Sequence, residues 1–592
     1  MHTIYFGGKV KKTFRVLICS LTIFGLLAAT ATAQEVARED TVIFDLNNNI
    51  ADPENFNWFT PGTKRQHGAH QTMWEPLFIL NYESGDIEPW LGVSFDANDT
   101  MDVWTLGLRD GVMWSDGEAF NADDVMFTID MLLNDEGRTL NEAANMQQWV
   151  DSIEKIDDLT VQFNLVKPNP LFQLNYFSVR IFGSVLIMPE HVWSGQDPAT
   201  FSFYDEDKGW PIGTGPYTLT SADTSRTVWD LDENWWGAQA GFMDLPEPQR
   251  IVFVAAGSEE NRAQLLSNNQ LDIGHSVTLG AFEAIQARNP NIISWLDELP
   301  YAWADPCARQ LDINTQIAPW NDPSMRRALG HMIDRQQIVN VAYEGTTAVS
   351  RSMFVQYGGM NKYIDAIEAA GYGLSATADL EAAEAILMEN GYEKANNGLW
   401  EKDGETIKVN LIINSASTEM TRMGDVVVEQ LRAAGVDAIG RPVDNSTFWG
   451  SVLPTGDYDV ALTWLSCSSV NEPWASMNRY TTTFLAPLGE RAPGINNTQR
   501  WDTTNAEFYT LIVDAMASMP LNDPNMVDYV VEAYQYLDAD TPVIPLVQAS
   551  KLLPMNTSYW TGWPTQENNY NHPAFWWNHT HQIIHNLTKS GN

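Results

Sequence analysis

The sequence has 592 residues, of which 34 are Lys or Arg and 76 are Asp or Glu, so its net charge at pH 7 is -42. A chain this acidic repels phosphate backbones and anionic membrane surfaces, which excludes nucleic acid as a partner. Its length predicts more than one domain, because single hydrophobic cores stop growing at about 250 to 300 residues.

The first 33 residues have the pattern of a secretory signal peptide. Basic residues from Lys9 to Arg15 precede an apolar run at 16–28, and Ala31-Thr32-Ala33 forms a small-residue cleavage site. The run is shorter than the roughly 20 residues of a membrane-spanning helix. We therefore predict an exported chain without stable membrane insertion that begins near Gln34, with an uncleaved anchor as the alternative.

Two cysteines, Cys307 and Cys467, remain after removal of the signal. Thiols that meet in an oxidising compartment tend to pair. The sequence leaves two alternatives open, a disulfide or two buried free thiols that pack as small apolar groups.

Strand-like and helical patterns are interleaved along the chain, which predicts an α/β or α+β fold. Residues 103–108 alternate as a strand, and Asn121 can cap the helix that follows. Apolar residues recur at helical spacing in three later segments, 324–342, 379–389 and 425–434.

Short motifs follow one another in a fixed order from about Asp52 to Pro545. The segment 104–133 reads WTLGLRDGVMWSDGEAFNADDVMFTIDMLL, and the later motifs are Gly213-Thr214-Gly215-Pro216-Tyr217, the Asn234-Trp235-Trp236-Gly237 element, Gln270-Leu271-Asp272-Ile273, Leu311-Asp312-Ile313-Asn314-Thr315, Arg326-Arg327-Ala328-Leu329 with Ile333-Asp334-Arg335, and Gly456-Asp457-Tyr458-Asp459. Together they resemble the family 5 extracellular solute-binding proteins, which deliver oligopeptides, nickel chelates or oligosaccharides to ABC importers.

The resemblance implies a monomeric periplasmic protein with a large, class II-like, two-lobed α/β fold. Residues 34–80, 208–302 and 539–592 would form a discontinuous first lobe, 81–207 an inserted subdomain, and 303–538 the second lobe. Such lobes close by a hinge around a ligand in the cleft between them. The partners would be a small-molecule ligand and the transmembrane permease subunits.

The ligand class depends on the residues that follow Gly456-Asp457-Tyr458-Asp459. In the peptide-binding members, the corresponding strand continues through a Trp to an acidic residue that pairs with the peptide α-amine. Here Trp464 is present, but the residues after it are Leu, Ser and Cys. An ammonium buried without a counter-charge is expensive, so a neutral oligosaccharide is favoured over an oligopeptide.

Aromatic planes and polar groups are expected to line an oligosaccharide site. Each Trp has packing against the core as its alternative role. The candidate ligand-binding residues are Asn55, Trp58, Trp74, Trp464, Ser468, Trp474, Trp560 and Trp563.

Other functions receive less support from the sequence. Metal binding would use His67 with His70, or His579, His581 and His585, but no cysteine or carboxylate pattern completes either set. A secreted glycoside hydrolase also fits an acidic, Trp-rich exported chain. Common hydrolytic and phosphate-binding motifs are missing from the sequence, and we predict no catalytic residues, no metal and no cofactor. A sensor that presents its ligand to a receptor is a third alternative.

Overall fold

The computed structural model describes residues 36–46, 50, 52–60, 69–82, 85–179, 184–467, 469–521, 523–573 and 580–591. Helices and strands are mixed throughout, and the strands form separate sheets with parallel and antiparallel pairs. The predicted α/β class is confirmed. The predicted signal peptide lies outside the described residues, and none of the described helices has the length and apolarity needed to cross a membrane.

Strands from distant parts of the chain form the sheet of the first lobe. Thr41–Asp45 pairs in parallel with Arg250–Val254, which pairs antiparallel with Arg226–Leu231, and Tyr217–Ala222 completes the sheet. The apolar side chains of this sheet share one core with Trp560 near the C-terminus. Strand Thr41–Asp45 and the segment around Trp560 therefore belong to the same lobe.

The motif at residues 213–217 is held against the backbone of the segment before strand Phe78–Leu80. Gly215 N donates to Met73 O at 2.7 Å, and a Cβ at Gly213 or Gly215 would overlap the backbone there. The indole of Trp235 donates to Thr214 O at 2.9 Å. The glycines are required because two stretches of backbone approach this closely.

An antiparallel sheet and its covering helix follow in the predicted inserted subdomain. The strand predicted at residues 103–108 is confirmed, with Trp104 and Leu106 among its buried residues. The predicted cap is also confirmed, because the Asn121 side chain accepts from Asp123 N at 2.7 Å. In spatial order the strands are Gly92–Ala97, Val103–Leu108, Thr160–Leu165 and Val150–Asp157, with helix Ala122–Leu133 against them.

The second lobe is built on a mixed five-stranded sheet. Its strands, in spatial order, are Asp437–Val443, Lys408–Asn414, Val460–Thr463, Trp303–Ile313 and Val543–Lys551. The predicted division assigned residues after 538 to the first lobe, but Val543–Lys551 pairs antiparallel with Trp303–Ile313. The second lobe therefore extends to Lys551, and the chain returns to the first lobe after that residue.

Helices pack against the sheets of both lobes. The longest and most regular of the remaining helices in the described residues are Glu259–Ser267, Leu279–Arg288, Gly358–Ala369, Leu380–Glu389, Thr418–Ala433, Thr504–Met516 and Met526–Asp540. The helix predicted at 379–389 is confirmed, and the one predicted at 425–434 begins earlier, because the side chain of Ser417 accepts from Met420 N and caps it there.

The single helix predicted at 324–342 is wrong. The chain forms two helices, Pro323–His331 and Arg335–Ala342. Asp334 separates them, because its side chain accepts from Gln337 N at 2.8 Å and caps a new helix.

Cys307 and Cys467 form a disulfide, which decides between the two alternatives left by the sequence. Their Cα atoms are 4.3 Å apart, and 160 residues separate them along the chain. The bond joins strand Trp303–Ile313 to the loop that follows strand Val460–Thr463. It therefore fixes the start of that loop to the central part of the sheet.

Removing the disulfide should destabilise the second lobe. The double variant Cys307→Ser/Cys467→Ser is expected to unfold with a free energy lower by about 2–5 kcal/mol, because a long loop in the unfolded chain is no longer closed. Denaturant unfolding measures the difference, and dithiothreitol should weaken the wild type but not the variant. Equal stability of the two proteins under oxidising conditions would contradict this role.

Glu75 is an acidic residue buried among tryptophans of the first-lobe core. Its carboxylate accepts from the indole nitrogens of Trp90 at 2.9 Å and Trp236 at 2.8 Å. Burial raises the pKa of Glu75 to about 7, despite these hydrogen bonds that favour the charged form. The folded state therefore holds this proton more tightly than the unfolded chain does.

The raised pKa of Glu75 predicts a loss of stability as the pH rises. The stabilisation is fully present below pH 4.5, the value of the unfolded carboxyl, and is lost as the pH passes about 7. The loss amounts to roughly 3 kcal/mol. Glu75→Gln should flatten the pH profile of the unfolding free energy between pH 5 and pH 8, whereas exposed Glu118→Gln should leave it unchanged. Parallel profiles for wild type and Glu75→Gln would argue against this assignment.

Candidate functional site

Residues from the two lobes meet in one apolar and aromatic cluster, which we call the interlobe cluster. One side comes from the segment 80–174 and the other from the segment 303–474, with additional contacts from Trp295 and Leu521. Its buried members are Leu80, Tyr82, Leu171, Leu174, Trp303, Cys307, Cys467 and Val470, and the partly buried ones are Ile87, Trp295, Tyr357, Trp464, Trp474 and Leu521.

Aromatic rings contact one another across this cluster. Tyr82 lies 4.7 Å from the His572 ring and 6.0 Å from the Tyr357 ring, measured between centroids. Trp303 stacks on His572 at 4.9 Å. Burial lowers the pKa of His572 to about 4, so this imidazole is neutral at physiological pH. The rings present flat, uncharged surfaces between the lobes.

Two hydrogen bonds add polar contacts near the rings. Asn471 Nδ2 donates to Gly85 O at 3.1 Å, and Tyr357 Oη donates to Ala304 O at 2.6 Å. The first of these joins the loop after Cys467 to the turn after Tyr82. The two lobes therefore meet through both apolar and polar groups.

Trp464 lies directly after strand Val460–Thr463 and is only partly buried. Phe448 stacks on its indole at 6.1 Å, and Trp449 contacts it edge-on at 5.0 Å. The guanidinium carbon of Arg309 lies 5.3 Å from the ring centroid. These three contacts fix the plane of the indole.

A group of charges surrounds the Arg309 guanidinium beside Trp464. Arg309 pairs with Glu419, and Lys551 Nζ lies 2.9 Å from the same carboxylate. Asp305 lies 3.7 Å from Lys551 and 3.9 Å from Arg309. Two cations thus face two carboxylates, so the group has no excess of either charge.

Glu419 pairs with the arginine that lies over the Trp464 ring, and its charge is already compensated. Burial favours its neutral form, but the attraction of Arg309 and Lys551 outweighs burial and lowers the pKa of Glu419 to about 2. The carboxylate is therefore ionised and shared between two cations. An ammonium group would have to displace one of them to bind here.

Trp474 starts the helix Trp474–Met477 at the other end of the loop that contains Cys467. The indole is partly buried, and its N–H is buried without a hydrogen-bond partner among the described residues. A buried donor without an acceptor costs about 1–3 kcal/mol. An acceptor from outside the chain would remove this cost.

Four other predicted tryptophans belong to the first-lobe core and not to the clusters that contain Trp464 and Trp474. Trp58 and Trp74 contact edge-on at 6.1 Å inside the first-lobe core. Trp560 is fully buried and donates to Thr41 O, and Trp563 is 2% exposed and donates to Asn556 O. Asn55 is half-buried in a turn, where Oδ1 accepts from Asn57 N at 3.0 Å. Ser468 lies outside the described residues.

Two histidines near the C-terminus, His581 and His585, pack against tryptophan rings. His581 lies 5.1 Å from the Trp90 ring and His585 lies 5.1 Å from the Trp235 ring. Burial lowers the pKa of His581 to about 3 and that of His585 to about 4. His67 and His579 lie outside the described residues, as does the side chain of His70, and the described residues contain no cluster of three or more metal-ligand side chains.

Known proteins resemble this chain over most of its length. The model for "Bacterial extracellular solute-binding proteins, family 5 Middle" matches residues 86–485, which is more than half of the chain. The nickel-binding periplasmic protein of Escherichia coli K12 is 24% identical over 70% of this chain and 74% of its own length. The glutathione-binding protein GsiB of Salmonella typhimurium LT2 is 24% identical over 92% of this chain and 95% of its own.

Solved structures share the fold. A periplasmic oligopeptide-binding protein of Thermotoga maritima, crystallised with bound mannohexaose, superimposes with a TM-score of 0.78 at 23% identity over 94% of this chain and all of its own. NikZ of Campylobacter jejuni in complex with Ni(L-His) gives a TM-score of 0.72 at 18% identity over 93% of this chain and all of its own. These structures confirm the two-lobed fold. The family match confirms the resemblance seen in the sequence motifs, and the chain belongs to family 5 of the bacterial extracellular solute-binding proteins, the substrate-binding components of ABC importers.

Proposed function

We propose that this chain captures a neutral oligosaccharide between its two lobes and delivers it to the permease of an ABC importer. The N-terminal 33 residues would direct its export to the periplasm and then be removed. The chain crosses between the lobes near residues 302–303 and 551–552, and these crossings would act as the hinge. Opening at this hinge would separate Tyr82 and His572 from second-lobe residues of the interlobe cluster, and closure around the ligand would restore these contacts.

One observation carries the choice of a neutral ligand. Cys467 lies three residues after Trp464, in the stretch where peptide-binding members are expected to place the acid that holds the α-amine, and it is bonded to Cys307. The nearby carboxylate of Glu419 is already shared between Arg309 and Lys551. The carboxylate of Glu419 is therefore not free to hold a peptide amine.

The aromatic side chains support a sugar as the neutral ligand. Sugar C–H groups pack on flat aromatic faces, while hydroxyls need hydrogen-bond partners. Trp464 offers a partly exposed indole held by Phe448 and Trp449, and Trp474 offers a buried donor. Of the eight predicted residues, we propose these two as ligand contacts, and the core positions of Trp58, Trp74, Trp560 and Trp563 suit a supporting role.

A peptide ligand is the alternative within the same family. Several relatives have names that refer to dipeptides, oligopeptides or glutathione. The Thermotoga maritima protein is named oligopeptide-binding, yet its structure contains mannohexaose. This ligand supports a sugar for the present chain. The name of a relative therefore does not identify its ligand at this level of sequence identity. The choice between sugar and peptide depends on the residues of the site.

A thermal-shift screen separates the two ligand classes. Manno-, cello- and xylo-oligosaccharides should include at least one ligand that raises the melting temperature and changes Trp fluorescence, because a ligand at 100 times its Kd stabilises the native state by about 2.7 kcal/mol. Di- to pentapeptides and nickel-histidine are the comparison ligands. A response to peptides alone would overturn the proposal, and shortening of the sugars on incubation would favour a glycoside hydrolase.

Trp464→Ala tests the proposed stacking face. The variant should bind the oligosaccharide found in the screen more weakly by about 1–3 kcal/mol, because aromatic side chains dominate such contacts. Titration calorimetry gives the affinity, and Trp210→Ala, which removes a partly buried indole elsewhere in the chain, is the matched control. The control should keep the wild-type affinity, and unchanged affinity in Trp464→Ala would remove Trp464 from the site.

A further inference from the structure

A small pocket on the second lobe is lined by three arginine side chains. It lies at the start of strand Val543–Lys551, beside helix Met526–Asp540, and Arg327, Arg335 and Arg351 reach it from other segments. Its volume is about 30 Å³, which is enough for one or two water-sized groups. None of its lining residues belongs to the interlobe cluster.

Two of the three guanidinium groups have carboxylate partners. Arg327 lies 2.7 Å from Asp538, which also lines the pocket. Arg351 lies 2.7 Å from Asp365 and also pairs with Glu368. Both of these arginines are partly exposed to solvent. Their charges are therefore balanced within the chain.

Arg335 differs from these two in burial and in its partners. The residue is only 2% exposed, and no carboxylate of the described residues lies within ion-pair distance of it. Its Nε donates to Pro545 O at 2.7 Å and its Nη1 donates to Ser375 O. Its Nη2 is buried and has no hydrogen-bond partner in the described part of the chain.

This arrangement leaves a positive charge and a donor without compensation. Burial lowers the pKa of Arg335 to about 10, which still leaves the guanidinium protonated at neutral pH. Backbone carbonyls satisfy two of its donor groups but supply no negative charge. A buried cation of this kind is costly unless an anion neutralises it.

We propose that the pocket binds a small inorganic anion, a halide such as chloride, on Arg335 Nη2. Arg327 and Arg351 are already balanced by carboxylates, so the charge that attracts the ion is that of Arg335. Ser350 lines the pocket, and its Oγ accepts from Gln548 Nε2 at 2.9 Å, which leaves its own O–H to donate to the ion. The small volume favours a single halide over phosphate or an organic carboxylate.

The bound ion would connect elements that pack around Arg335. This side chain reaches strand Val543–Lys551 through Pro545 and the loop before helix Leu380–Glu389 through Ser375. Neutralising its charge would stabilise this packing without any contribution from the interlobe cluster. The inference is therefore independent of the proposed ligand.

Thermal unfolding at constant ionic strength tests the site. Replacing sodium gluconate stepwise by sodium bromide should raise the melting temperature of the full chain saturably by about 1–3 °C. Arg335→Met should lose this rise, whereas Arg250→Met, which removes a partly buried arginine paired with Asp230, should retain it. Equal responses of the wild type and Arg335→Met would identify general salt screening and overturn the proposal.

A crystallographic measurement keeps the proposal testable if Arg335→Met does not fold. A wild-type crystal soaked in sodium bromide should give an anomalous peak within hydrogen-bond distance of Arg335 Nη2. Water at that position, with bromide found only elsewhere, would overturn the proposal. A melting response to phosphate but not to bromide would overturn the assignment of a halide.

Discussion

The pairing of Glu419 with both Arg309 and Lys551 is the interaction on which the electrostatics of the site depend. It neutralises the carboxylate that pairs with Arg309, the cation over the Trp464 ring. Arg309 also lies against the indole face, so the same ion pair positions the aromatic surface. The charged groups beside Trp464 consequently balance one another. A ligand that brings its own charge would have to break this pairing.

Strand Trp303–Ile313 carries most of these features. Alternate positions along it supply Trp303 to the interlobe cluster, Asp305 and Arg309 to the charge group, and Cys307 to the disulfide. Strand Val543–Lys551 pairs with it at residues 303–305 and 309–312, and strand Val460–Thr463 pairs with its other side at residues 310–313. A site built on a paired strand holds its side chains more exactly than one built only on loops.

Features set by local sequence were predictable. The alternation at residues 103–108 and the cap at Asn121 depend on neighbours within a few positions, and both are present. Asp334 misled the helix prediction, because aspartate occurs both on exposed helix faces and at helix starts. The spacing of apolar residues could not distinguish an aspartate inside one helix from an aspartate that starts a second helix.

The site itself depends on contacts that no local pattern encodes. Tyr82 and His572 are in contact although nearly the whole chain separates them. The composition of the C-terminal run suggested ligand contacts for Trp560 and Trp563, yet both are buried with their N–H groups bonded to backbone carbonyls. An indole has the same character in a core as in a binding site, so only the tertiary structure distinguishes these roles.

The discontinuous sheet of the first lobe also determines when this protein can acquire its structure. Thr41–Asp45 must wait for Arg250–Val254 before it has a strand partner, and the core that both join is complete only when Trp560 has emerged. If the chain crosses the membrane from its N-terminus, the first lobe stays unfinished until translocation is almost over. Long-range pairing of this kind slows folding and exposes apolar surface meanwhile, so the emerging polypeptide depends on protection from aggregation until its last segment arrives.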